Sequence, residues 1–220
     1  MLTNMNFEIA RTQMLSQQVR AWEVLDDRVL GVMRDTPREH FVPEGDRELA
    51  FADTEIPLGH GQFMLSPKLE GRLLQALQID SLDDALEIGT GSGYLTACLA
   101  RLARHVTSAD IIADFVAGAA QKLARAGIRN VDVVHADGLA LSNAERFDAI
   151  AVTGSVPVLT SHFISMLKPG GRLFIVVGRA PVMEASLVTL HPGGHWTRQD
   201  LFETWLTPLI NAEQPEPFVL

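Results

Sequence analysis

An open, Rossmann-like α/β sheet with helices on both faces is the fold this chain predicts, preceded by a helical N-terminal extension and followed by a C-terminal antiparallel strand pair. Three observations carry that expectation. Short apolar strands and amphipathic helices alternate from Asp83 onward, the pattern of a parallel sheet covered by helices. Glycines at alternate positions, Gly89, Gly91 and Gly93, follow the first of those strands. The residues before them have a different texture, helical segments joined by a long irregular stretch. At 220 residues, 47% hydrophobic and 20% charged, the chain can bury one sizeable core. We expect one compact unit with two regions, a helical and lid region over 1–80 and a ligand-binding sheet domain over 81–220.

Apolar residues at three- and four-residue spacing make helices of "NFEIARTQMLSQQVRAW" and "DDRVLGVMRDT". Asp26 or Asp27 is placed to cap the second helix, and Pro37 follows its end. The stretch "REHFVPEGDRELAFADTEIPLGHGQFMLSP" holds Gly45, Gly59, Gly61 and several prolines, yet it is too apolar for a solvated linker. An ordered loop of that length in a compact domain is usually functional. Helical spacing returns with "KLEGRLLQALQI". Strands then fall on "DALEIG", "HVTSAD", "VDVVHAD", "FDAIAVTGS" and "RLFIVVG". Between them lie helices on "SGYLTACLARLA", on "IADFVAGAAQKLARAG" with Gly127 as its C-cap, and on "VLTSHFISMLK", stopped by "PGG". The tail breaks the alternation: "EASLVTLHP", a Gly-Gly turn and "HWTRQDLFETWLTPL" predict an antiparallel pair.

Composition narrows the function classes. The formal net charge is −9 and no block of Lys and Arg appears, so no nucleic-acid partner is expected. No apolar run approaches the ~20 residues that span a bilayer, and the N-terminus lacks the pattern of a secretory signal. We expect a soluble, cytoplasmic protein without a membrane partner. Cys98 is the only cysteine, so no intrachain disulfide can form, and its apolar neighbours predict a buried small hydrophobe. His60, His105, His135, His162, His191 and His195 are scattered without metal-ligand spacing, and no metal is expected.

The glycine loop is where a ligand belongs, since open parallel sheets bind beyond the carboxyl ends of their strands. A dinucleotide fingerprint starting at Gly89 would need its third glycine where Tyr94 stands, and no Gly-Lys-Ser/Thr follows to make a P-loop. "EIGTGSGY" instead resembles the first motif of class I S-adenosylmethionine methyltransferases, acidic-x-Gly-x-Gly-x-Gly. The resemblance implies S-adenosyl-L-methionine as cofactor. Bare glycines let the backbone approach the methionyl part and ribose, and Glu87 can meet the ammonium. Asp110 ends strand two and is placed for the ribose hydroxyls. "HADG" after strand three puts Asp137 and Gly138 where that family holds the adenine. The expected cofactor residues are Glu87, Gly89, Thr90, Gly91, Ser92, Gly93, Asp110, Ile111, Asp137 and Gly138.

The acceptor is narrowed next. After the fourth strand "AVTGSVP" lacks the Asn/Asp-Pro-Pro-aromatic signature of enzymes that methylate adenine or glutamine nitrogens. Most of the chain resembles the protein-L-isoaspartate O-methyltransferase family. "RTQMLSQQV" and "VLGVMRDTPREHFVP" look like its N-terminal helices and "PRE-x-F-VP" signature. "AFADTEIPLGHGQ" is similar to its Tyr-x-Asp and "PLPIG-x-GQ" segment. "ALEIGTGSGYLTACLA", "HADG", "FDAIAVTGSVP" and "LKPGGRLFIVVG" follow in the family's order, and "TPL" near Leu209 resembles its closing "VPL". The resemblance implies methylation of the stray carboxylate of isoaspartyl residues in damaged proteins. A carboxylate, with its usual pKa of about 4, is already a nucleophile at neutral pH, so no general base is expected.

The match breaks after "GQ". Phe63, Met64 and Leu65 stand where the family has Thr-Ile-Ser, its serine lying beside substrate and cofactor. Ser66 is the nearest hydroxyl. It is a candidate catalytic residue, or else the N-cap of the helix that Pro67 opens. Phe51 replaces the family's tyrosine while Asp53 is kept, either as a substrate-side group or as an acid bracing the loop. These changes predict a drier acceptor side with the cofactor side intact. The expected partner is an isoaspartyl peptide or protein. The alternatives are another carboxylate or small metabolite, or a module that binds the cofactor without turnover.

Overall fold

A computed structural model describes residues 7–141 and 147–212. The first helix forms where the spacing predicts, in three pitches: α1 (Phe7–Gln13), a π segment over Met14–Val19 and a 3-10 turn over Arg20–Trp22. Its buried face carries Met14, Leu15 and Val19, and Glu23, at φ 62°, ends it. Asp26 caps α2 (Asp27–Asp35), accepting the Arg28 N–H at 2.8 Å. The long apolar stretch that follows is ordered by two 3-10 turns, Arg38–His40 and Glu44–Leu49, and by a β-hairpin that the sequence reading did not anticipate. Its strands are β1 (Ile56–Gly59) and β2 (Gln62–Met64), too short to show periodicity. Gly59, His60 and Gly61 all hold positive φ at the turn. Helix α3 (Pro67–Leu77) then leads to the sheet.

Five strands alternate with helices. They are β3 (Asp84–Ile88), β4 (His105–Asp110), β5 (Val131–His135), β6 (Phe147–Val156) and β7 (Leu167–Arg179). Helix α4 (Tyr94–Leu102) joins β3 to β4, α5 (Ala113–Arg125) joins β4 to β5, and α6 (Ser161–Ser165) joins β6 to β7. These five strands are parallel; β8 (Val182–Leu190) adds antiparallel to β7 and β9 (Trp196–Thr204) antiparallel to β8, in the order β5-β4-β3-β6-β7-β8-β9. The expected antiparallel tail pair is therefore the end of a three-stranded meander, turning on Gly193 and Gly194.

Helix α6 is much shorter than "VLTSHFISMLK" predicts. Thr160 caps it, accepting from the His162 N–H at 3.4 Å, so it starts late. At the other end Leu167 pairs with Phe147, drawing "LKPGG" into β7 instead of leaving it as a stop. The two faces of the sheet are consequently unequal. One is covered by α3, α4 and α5 together with the N-terminal region, where Met33, Phe41, Leu73, Tyr94, Leu99 and Phe174 share a core. The other packs Ile88, Ile150, Leu173 and Ile175 beneath Phe163 and Ile164 of α6. No helix among the described residues is long and apolar enough to cross a membrane.

Candidate active site

The chain reverses direction across the sheet at β3, which runs between β4 and β6, and a cleft opens beyond the carboxyl ends of these strands. Its empty space, counting the part open to solvent, is about 760 Å³. Gly89, Gly91, Asp110, Ile111, Asp137 and Gly138 line it, so the structure brings together in one place residues expected from three successive strand ends. The loop geometry explains the glycines. Gly89 lies at φ 96°, and a Cβ there would collide with Thr153 Oγ1. Gly138 has no room either, because Ile88 Cγ2 occupies the place of such an atom. Gly93, at φ 84°, starts α4 and closes a turn by donating to the Thr90 carbonyl at 2.9 Å.

The carboxylate of Asp110 holds the loop as well as facing the cleft. It accepts the N–H of Gly91 and of Ile112, both at 2.9 Å. Asp137 is anchored in the same way, by the Leu139 N–H and the Asn211 side-chain amide, also at 2.9 Å. Ile88, Ile111, Ile112, Phe115 and Leu139 supply apolar walls, a surface suited to a flat heterocycle. Thr153 was not anticipated. Its hydroxyl donates to the carbonyls of Ile88 and Gly89 at 2.9 and 2.8 Å, tying β6 to the loop. A single threonine within an apolar strand gives no sequence signal of that role.

Glu87 is buried behind the glycine loop and opens onto a narrow recess with Leu58, Leu65, Glu70, Thr90, Gly91 and Ser92. Its Oε2 accepts from Thr96 and Ser108 hydroxyls at 2.5 Å, and Ser108 is in turn 2.6 Å from Thr90 Oγ1. Oε1 has no partner among the described residues. Burial pushes the carboxyl up to about 8, outweighing the two hydroxyl donors, with further upward pressure from Asp110 and Glu70. Ser92 accepts the Tyr94 N–H at 3.2 Å and serves the start of α4.

The β1–β2 hairpin covers the opposite side of the cleft. Leu58 lies 3.2 Å from where a Gly91 Cβ would stand, and Glu55, Gln62, Phe63 and Leu65 join the lining. At the hairpin tip His60 reaches Asp114 at 3.2 Å and meets the Phe115 ring edge-on at 5.5 Å. The hairpin base rests on Arg38, which is fully buried. Its guanidinium pairs with Glu70, donates to the carbonyls of Ala50 and Leu65 at 2.8 and 2.6 Å, and lies 4.8 Å over Tyr94. Lys122 ties the same region to the loop, donating to the carbonyls of Phe41 and Ser92 at 2.6 and 3.4 Å.

Neither candidate catalytic residue lines the cleft. Ser66 is buried at the N-cap position of α3, where its carbonyl accepts from Leu69 and Glu70, while its neighbour Leu65 faces the cleft. Asp53 is exposed and pairs with Lys68 at 2.8 Å. Phe51 is also away from the cleft: its ring packs on Phe7 and beneath Arg11. Of the departures from the family pattern, Phe63 and Leu65 line the cleft and Phe51 does not. Among the described residues no group of three or more His, Cys, Asp or Glu is arranged to hold a metal.

This sheet order, with a glycine loop at the switch point and an acid ending the next strand, defines a class I methyltransferase fold. A family model described as protein-L-isoaspartate(D-aspartate) O-methyltransferase matches residues 10–214, and the chain belongs to that family. It is similar to protein-L-isoaspartate O-methyltransferase 2 of Pelobacter propionicus, 36% identical over 211 residues, which are 94% of this chain and 93% of that one. The protein-L-isoaspartate O-methyltransferase of Rhodopseudomonas palustris is 40% identical over 210 residues, covering 93% of this chain and 96% of its own. A Plasmodium falciparum protein assigned the same activity, solved with S-adenosyl-L-homocysteine, shares the fold at a TM-score of 0.80 and 21% identity. The overlay covers 90% of this chain and 97% of that one.

Proposed function

We propose that the chain is an S-adenosyl-L-methionine-dependent O-methyltransferase that esterifies the carboxylate of isoaspartyl residues in damaged proteins, a repair role in the cytoplasm. The observation that carries this reading is one continuous cleft, in which the glycine-loop residues and the hairpin residues Phe63 and Leu65 face each other. Family membership over nearly the whole chain supports the acceptor. S-adenosyl-L-methionine supplies an electrophilic methyl on its sulfonium sulfur. Asp110 would take the ribose hydroxyls on the lone pairs that Gly91 and Ile112 leave free. Asp137 and Gly138 would hold the adenine edge. The unpartnered Oε1 of Glu87 fits a cationic ammonium, which would draw the carboxyl to its ionised form.

A carboxylate acceptor brings its own lone pair. Its oxygen forms the new bond to the methyl carbon as the carbon–sulfur bond breaks, and the electron pair leaves on sulfur with no proton to move. The protein's task is then placement and exclusion of water. Leu58, Phe63, Leu65 and Leu206 do the second, and the segment 55–65 is the part of the expected lid region that reaches the cleft. Labelled S-adenosyl-L-methionine incubated with aged and with fresh protein extract tests it. The expected result is base-labile label, released as methanol, concentrated on the aged extract. Tight cofactor binding with no base-labile label on either extract would leave a module that binds without turnover. Label on small molecules alone would mean a different carboxylate.

A further inference from the structure

Three carboxylates line the cleft, those of Glu55, Asp110 and Asp137, and no Lys, Arg or His does so among the described residues. Two of the three are committed. Asp110 holds two backbone N–H groups, and Asp137 holds one together with an Asn211 amide. Glu55 stands apart. It is half-buried, one residue before the Ile56–Met64 pair of the hairpin, on the side that carries Phe63 and Leu65, and its carboxylate takes no hydrogen bond or ion pair from a described residue. Burial alone pushes its carboxyl up, with nothing in the surroundings to offset it.

An incoming acceptor carboxylate meets Glu55 as a like charge, and like charges in a partly dry cleft repel more strongly than in water. The opposing charge must then arrive with the substrate. We propose that Glu55 is the specificity-determining residue of the acceptor side, pairing with a cationic group (a lysine or arginine side chain, or a free α-amino group) that the substrate carries next to its methyl-accepting carboxylate. This rests on the reading of the chain as a carboxylate methyltransferase. It adds a substrate class to that reading: isoaspartyl sites beside a basic residue are accepted, and those beside an acidic one are rejected. The pairing acts in the ground state and the transition state alike, so it is expressed in KM more than in kcat.

Three isoaspartyl peptides that differ only in the preceding residue, Lys, Ala or Glu, provide the test. Wild-type protein is expected to favour the Lys peptide over the Glu peptide by about tenfold or more in kcat/KM, with the gap shrinking as salt rises. Glu55→Gln should bring the three peptides to within about twofold, and Glu55→Lys should reverse their order, which a merely structural residue would not do. Affinity for S-adenosyl-L-methionine is measured on the same variants and should be unchanged. Equal rates for all three peptides on the wild type, or a preference that survives in Glu55→Gln, would overturn the proposal. So would a loss of cofactor affinity in Glu55→Gln as large as the loss of peptide preference, because Glu55 would then belong to the cofactor. Should the wild type methylate none of the peptides, the functional reading fails, and equilibrium binding of the Lys and Glu peptides to protein saturated with S-adenosyl-L-homocysteine decides Glu55 separately.

Discussion

Replacing Glu87 with glutamine should change how stability responds to pH, by an amount the structure sets. The Glu87 carboxyl is buried, receives two hydroxyl donors on one oxygen and none on the other, and titrates at about 8 against an ordinary value of 4.5. Between those values the native protein keeps a proton that the unfolded chain has released. Stability from this group is therefore fully present below pH 4.5 and is lost as pH rises through about 8. Each pH unit inside the window removes about 1.4 kcal/mol, so moving from about pH 5 to about pH 7 removes roughly 3 kcal/mol. That is a large share of a total stability on the order of 10 kcal/mol. The glutamine side chain is the neutral isostere: its carbonyl can accept from Thr96 and Ser108 as before, and it has no proton to lose. Urea unfolding of both proteins at several pH values reads the effect as a difference, in which titrations common to both cancel. The variant should match the wild type near pH 5 and exceed it progressively toward pH 8. Parallel stability curves, or a wild type that gains on the variant as pH rises, would refute the account of Glu87 as a carboxyl held neutral by burial.

The same geometry sets three further expectations. Asp110→Ala removes the acceptor of the Gly91 and Ile112 N–H groups, and it should weaken S-adenosyl-L-homocysteine binding by about 1–3 kcal/mol in calorimetry; unchanged affinity would show that the loop holds itself. Gly89→Ala drives a Cβ into Thr153 Oγ1 at a positive φ, so it should abolish cofactor binding, and pairing it with Thr153→Ala should recover only part, because the φ strain remains. Hydrogen exchange over 55–65 should slow when S-adenosyl-L-homocysteine binds, since Leu58 closes on Gly91 and His60 bridges to Asp114; identical exchange with and without ligand would contradict a covering role for the hairpin.

Most of the sheet and of the glycine-loop side of the cleft was legible because its signals are local. A glycine run after an apolar strand, an acid ending the next strand and "HADG" ending the third are readable one segment at a time, and the parallel order brings them to one edge. The acceptor side was much less so. Leu65 and Ser66 are adjacent in sequence, but Leu65 faces the cleft and Ser66 opens a helix at its N-cap position, a difference that chain proximity to the missing serine does not show. Asp53 reads equally as a substrate-side group or as an acid bracing the loop, and only the fold shows that Lys68, on the next helix, pairs with it. Nothing local in "TPREHF" marks Arg38 for burial. Its burial follows from partners 12 to 32 positions away, at Ala50, Leu65 and Glu70, which only the folded hairpin base brings around it. Helix α6 was overestimated for a related reason: its apolar spacing is real, but Leu167 is claimed by β6.

Initial velocity on a synthetic isoaspartyl peptide, with its normal aspartyl twin as control, tests the central claim most directly. The cleft joins the proposed cofactor residues to Phe63 and Leu65 and needs no base for a carboxylate acceptor. The account predicts labelled methyl on the isoaspartyl peptide as a base-labile ester, and none on the twin. Absence of methyl transfer to the isoaspartyl peptide, by protein shown to bind S-adenosyl-L-homocysteine, would contradict it. Equal transfer to both peptides would contradict it as well, by showing that the acceptor side does not distinguish the displaced carboxylate.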